Sequence, residues 1–91
     1  MAVVVVTLRI MPVSVDINLD TIEEQANALI RDFGGEPGKK VINPIAFGLN
    51  ALDIYFTMPE EKGSTDALEI KVREVEGVQS AEVTDVRRTM G

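Results

Sequence analysis

Asn43-Pro44-Ile45-Ala46-Phe47-Gly48-Leu49 stands close to the middle of the chain, at the joint between two halves of similar grammar. Pro44 cannot donate to a sheet ladder and belongs at an edge or a break, and Gly48 admits backbone angles that a side chain would forbid. Between them Phe47, one of three Phe, is either a plug for the end of a core or a knob presented to a partner. After the joint, residues 49–57 alternate as a central strand, with Leu52, Ile54 and Phe56 on one face and Ala51, Asp53, Tyr55 and Thr57 on the other. Before it, Lys39-Lys40-Val41-Ile42 reads as a short, charged edge strand, preceded by a turn at Glu36-Pro37-Gly38.

Further out, residues 3–11 form the other central strand, placing Val4, Val6, Leu8 and Ile10 on one face and Val3, Val5, Thr7 and Arg9 on the other. Leu19, Ile22, Ala26, Leu29, Ile30 and Phe33 trace one helical stripe. Asn18 is placed to cap that helix, Ile17 to staple onto Ile22, and Gly34-Gly35 to end it. Met58–Ser64 reads as an acidic, mobile loop, and Thr65–Glu76 as a second helix with Leu68, Val72 and Val75 inward and Gly77 as its stop. Ser80–Val86 is an edge strand, followed by Arg87-Arg88-Thr89-Met90-Gly91.

The order β-α-β-β-α-β, with the first and third strands the most apolar, predicts an α+β ferredoxin-like split β-α-β sandwich. Its four-stranded antiparallel sheet runs 4-1-3-2, with two helices on one face and the other face open. Ninety-one residues bound one domain, spanning 1–91, with one two-layer core. The apolar opening Met1–Val6 is too short, and lacks the basic flank, for a signal peptide or membrane span, so a cytoplasmic location is expected.

Composition excludes much chemistry. Without Cys or His there is no disulfide framework, thiolate metal site or Ser-His-Asp triad. A net charge of −6 argues against nucleic acid as direct partner and for a partner with a basic patch. The open face offers Tyr55 among Thr7, Arg9, Asp53, Thr57 and Glu82, without the paired aromatics of RNA-stacking modules. Copper-carrier and acyl-phosphatase-like versions of the fold need a Cys or an Arg in the loop that Met11–Asp16 occupies, and neither is there. Glu60-Glu61 and the helical Glu74 and Glu76 read as solvated acids rather than an acid–base pair, so no enzyme activity and no cofactor or metal is expected. Arg87-Arg88 is a basic pair ending an acidic chain, and a solvated tail balancing Glu82 and Asp85 is the plain reading. A small-metabolite-binding regulatory module of paired ferredoxin-like domains is the rival from another class.

Pro44–Leu52 and Glu76–Arg88, together with Ile10-Met11-Pro12, resemble the archaeal translation elongation factor 1-beta family, over essentially the whole chain. The resemblance implies a guanine-nucleotide exchange factor that promotes GDP release and GTP reloading on the GTPase elongation factor 1-alpha. It would meet that partner in its GDP-bound and nucleotide-free states and be a monomer when free. It also implies that Phe47, flanked by Ile45, Ala46, Gly48 and Asn50, belongs to the docking surface. Arg88 falls where eukaryotic relatives have a near-terminal lysine that reaches toward the Mg²⁺ site, with Arg87 beside it. Arg for Lys keeps the charge and changes the donor geometry. Asn50 stands where those relatives often have a lysine, and Thr89 where Leu is usual. Exchange of this kind needs no covalent step, in keeping with a chain devoid of His and Cys. For Phe47 and the arginines to serve one partner, the joint must lie at an end of the sheet from which both reach it.

Overall fold

A run of β-branched and apolar residues makes Val3–Pro12 the first strand, β1, and the computed structural model, which describes residues 2–89, builds the sheet around it. Met1 of the apolar opening and the terminal Met90-Gly91 lie outside the described residues. The remaining elements are α1 (Leu19–Phe33), β2 (Glu36–Ala46), β3 (Leu49–Pro59), a one-turn 3₁₀ helix (Glu60–Lys62), α2 (Asp66–Arg73) and β4 (Val78–Arg88). The sheet order is β2-β3-β1-β4, every neighbouring pair antiparallel, which is the expected ferredoxin-like arrangement.

Register explains the core. Val6 lies opposite Phe56, Leu8 opposite Ile54 and Ile10 opposite Leu52, so the apolar alternation of β1 meets that of β3 on one face. Ile22, Ala26 and Ile30 of α1 and Leu68 and Val72 of α2 close over that face. Removing a side chain such as Leu8, none of which is exposed, would cost about 2–5 kcal/mol. Asn18 caps α1 by accepting from Asp20 N at 2.8 Å, and Gly34 at φ 105 supplies the left-handed turn that ends it. Lys40 of β2 donates to Glu23 at 2.7 Å and Asp20 at 3.3 Å of α1. Those bonds, Glu23's first, raise its pKa above the ordinary lysine value. Their contribution is therefore present below that ordinary value and is lost as pH rises through the raised one.

Four boundaries differ from the expectations. Glu36-Pro37-Gly38 is not a turn but the start of β2, tolerated because β2 is an edge strand and its register shifts between Pro37 and Lys40. The α2 helix stops at Arg73, short of Glu76, and turn-type bonds from Glu74 N to Lys71 O and Val75 N to Val72 O unwind it before Gly77. Pro59 completes β3, and Glu60–Lys62 of the expected mobile loop form a helical turn. Finally, β4 runs to Arg88, because its pairing with β1 continues as far as Val4.

The open face carries a polar lock. Arg9 forks onto Asp53 through Nε at 2.9 Å and Nη2 at 3.0 Å, and Asn43 Nδ2 donates to the same carboxylate. Asp53, only 4% exposed, thereby ties β1, β3 and β2 together. Its hydrogen bond, and then its charge, raise the Arg9 pKa further. Asp53→Ala would leave Asn43 and Arg9 without their acceptor and should lower unfolding stability by about 1–3 kcal/mol. A reduced urea midpoint with an unchanged m value would show this.

Candidate partner-docking and exchange surfaces

A two-residue connection between Ala46 and Leu49, which pair, forces Phe47 and Gly48 into the tip of a β2–β3 hairpin. Their φ values of 53 and 80 are the positive pair that a type I′ turn requires. Gly48 meets that requirement freely, but Phe47 is the one non-glycine residue at positive φ among the described residues. Such a conformation costs an L-residue about 1–2 kcal/mol, and Asn or Asp is the usual occupant. Phe47 is also 98% exposed, so the core-plug reading is wrong and the ring points into solvent. Pro44 lies on the edge strand at a second register shift, between Pro44 and Ala46, where its missing donor is harmless.

Around the tip, Ile45 is 47% exposed, and Ala46, Gly48 and Asn50 are exposed as well. The loop after β1 adds apolar surface that sequence reasoning missed: Val13 and Val15 are 51% and 58% exposed. A Cβ on Gly48 would stand 3.5 Å from Val15 Cγ1, so loop and hairpin tip adjoin. The available signal was two valines alternating with polar residues after a strand-ending proline, a pattern that does not by itself say which end of the sheet they join.

Arg87 and Arg88 lie in β4 rather than in a tail, opposite Val5 and Val4 of β1. Adjacent strand residues point to opposite faces, so the two guanidiniums part company. Arg87, on the open face, donates to Asp85 at 2.8 Å. It borders a shallow depression of about 580 Å³ shared with Arg9, Asp53 and Tyr55. Lys39 Nζ sits 5.0 Å from the Tyr55 ring centroid and covers that ring. Arg88, on the helix side, forks onto Glu60 through Nε at 2.9 Å and Nη2 at 2.8 Å. Its partner is therefore not Glu82 or Asp85.

The hairpin tip overhangs the end of β1 at Pro12, whereas Arg88 lies beside Val4 at the other end. The two features are at opposite ends of the sheet, separated by most of a ten-residue strand, or about 30 Å. They do not share one tip, so the expected common end is absent and a single partner would meet both only by spanning the length of the sheet. Among the described residues no cluster of three or more acidic side chains is placed to hold a metal ion. No helix there is long and apolar enough to cross a membrane.

These features define a class: a ferredoxin-like module that displays an aromatic knob at one end of its sheet and a carboxylate-held cation at the other. Residues 5–89 match the EF-1 guanine nucleotide exchange domain. The chain is 40% identical over 87 residues to elongation factor 1-beta of Methanothermobacter thermautotrophicus, covering 96% of this chain and 97% of that one. It is 43% identical over 89 residues to elongation factor 1-beta of Staphylothermus marinus, covering 97% and 98%. Among solved structures, the ACT domain from the GTP pyrophosphokinase of Chlorobium tepidum superposes with a TM-score of 0.57, covering 87% of this chain and 95% of that one. At 22% identity this likeness shows the fold alone. The chain belongs to the EF-1 guanine nucleotide exchange domain family, and its relatives support a role in guanine nucleotide exchange during translation elongation.

The strain at Phe47 is separable from its exposure. Phe47→Asn should place a residue suited to the left-handed region in the turn and raise stability by about 0.5–1 kcal/mol. In a thermal melt this is an increase of about 2–8 °C.

Proposed function

We propose that the whole chain acts as one exchange domain for elongation factor 1-alpha, docking through the Phe47 hairpin tip and bringing Arg88 toward the partner's Mg²⁺ site. The carrying observation is Phe47 itself: a bulky ring at φ 53 and 98% exposure contributes nothing to its own core, and strain of this kind concentrates at functional sites. Ile45, Ala46, Gly48 and Asn50 border the ring, and Val13 and Val15 extend the apolar patch. A ring so placed suits a hot-spot anchor entering an apolar pocket.

Release then follows from differential binding. The domain binds the GTPase more tightly when nucleotide and Mg²⁺ are loosened than when they are in place, and by reciprocity it weakens nucleotide binding by the same factor. A guanidinium brought near Mg²⁺ raises the ion's electrostatic energy. No bond is made or broken. The partner is met in its GDP-bound state and left nucleotide-free for GTP to enter. The free domain is a monomer, works without a cofactor and without direct nucleic-acid contact, and operates in the cytoplasm where translation runs. Its acidic surface, −6 overall, favours encounter with a basic patch. Arg88 is assigned the exchange role over Arg87 because its position is the one that the resemblance matches to the near-terminal lysine, and because it extends past the sheet end on the helix side while Arg87 lies over the open face. The metabolite-binding reading has only a likeness of fold behind it.

The separation of the two ends gives the reading a quantitative test. Stopped-flow release of a fluorescent GDP from elongation factor 1-alpha should show Phe47→Ala raising the half-saturating concentration about thirtyfold, roughly 2 kcal/mol. Arg88→Ala should leave that concentration nearly unchanged and lower the maximal rate about tenfold. Because the sites are far apart, the double variant should combine the two losses additively in free energy. Wild-type rates in both single variants would refute the assignment.

A further inference from the structure

We propose that Glu60 is a positioning residue for exchange: it holds the Arg88 guanidinium in the orientation in which it is presented to the partner. The inference rests on the exchange reading above and adds a residue that the solvated-acid reading of Glu60-Glu61 passes over.

The geometry is that of a built support rather than a chance surface contact. Glu60 opens the 3₁₀ turn directly after β3, and its backbone N–H donates to Ala2 O at 3.0 Å. Arg88 closes β4, and the next residue, Thr89, donates its N–H to Val3 O at 2.9 Å and its hydroxyl to the same oxygen at 2.8 Å. The start of β1 thus anchors both backbones, one from each neighbouring strand. The side chains meet across it in a two-pronged carboxylate–guanidinium fork.

A fork of this kind occupies two of the five guanidinium N–H groups. Three donors therefore remain turned away from Glu60, and the Arg88 side chain is still 69% exposed. A long side chain free in solution must surrender its rotamer freedom on docking, whereas one already forked has lost part of it beforehand. The fork also keeps the guanidinium at one place beyond the sheet end, where a one-pronged contact would let it swing. Glu60→Gln keeps size and backbone but leaves one acceptor oxygen and an amide that cannot accept, so the fork is reduced to a single bond.

The experiment is stimulated release of fluorescent GDP from elongation factor 1-alpha, measured against concentration of the full chain for wild type, Glu60→Gln, Arg88→Ala and the double variant. Glu60→Gln is expected to lower the maximal rate about three- to tenfold with the half-saturating concentration unchanged, and to cause no further loss in the Arg88→Ala background. A merely structural Glu60 would change both parameters and would act equally in either background, which overturns the proposal. An unchanged maximal rate, or a faster one, as if the pair were restraining the arginine, overturns it too. Slow release by Arg88→Ala beside normal release by Glu60→Gln removes this inference alone. Normal release by Arg88→Ala removes the exchange role of Arg88 and this inference with it.

Discussion

Everything in this fold depends on β1 being paired along both of its edges. Its helix-facing residues Val6, Leu8 and Ile10 are wholly buried because β3 and β4 flank them and two helices cover them. On the opposite side, Arg9 uses the same central position to fork onto Asp53, so the strand is locked from both faces. Burial supplies the larger share of the energy, since each fully buried aliphatic side chain contributes about 1.5–3 kcal/mol. The polar lock adds register, because a one-residue slip would take Asp53 away from Arg9 and Asn43.

The proposed working parts hang from the two ends of that strand. Beyond Pro12 the β2–β3 hairpin and the Val13–Val15 loop come together in an apolar tip. At the start, residues 2–4 carry the backbone of Glu60 on one side and that of Arg88 and Thr89 on the other. A rigid strand between the two exposed groups gives a fixed spacing, which suits the proposed differential binding of one partner. The Arg88–Glu60 pair adds little stability of its own, since an exposed ion pair contributes only about 0–1 kcal/mol.

One irregularity decides how the cationic end is built. Along β4, Ala81 and Val83 face the helices with Ile10 and Leu8 as partners. Simple alternation would carry that face on to Asp85 and Arg87. Instead the register shifts between Thr7 and Leu8, Thr84 is the extra residue, and Val86 and Arg88 follow on the helix side. Without that bulge Arg87 would face Glu60 and Arg88 would lie over the open sheet. The bulge thus selects which of two chemically identical neighbours stands against Glu60.

The element order, the two central strands, the α1 cap at Asn18 and the family were all legible in the residues, because alternation, helical spacing and turn chemistry are local properties that each short segment carries. The extra lengths of β2 and β4 and the early end of α2 were not legible, since strand pairing overrode Pro37-Gly38 at one edge and turn-type bonds closed off α2 before Gly77. Phe47 stood in the sequence as either plug or knob; the type I′ turn, set by the pairing of Ala46 with Leu49, turned it outward. Sequence by itself determined which residues could do the work: an aromatic at a Pro-Gly joint and two terminal arginines in an acidic chain. Tertiary structure alone decided where they stand, at opposite ends of one sheet with Arg88 against Glu60, because register and bulges arise from contacts between strands distant in the chain.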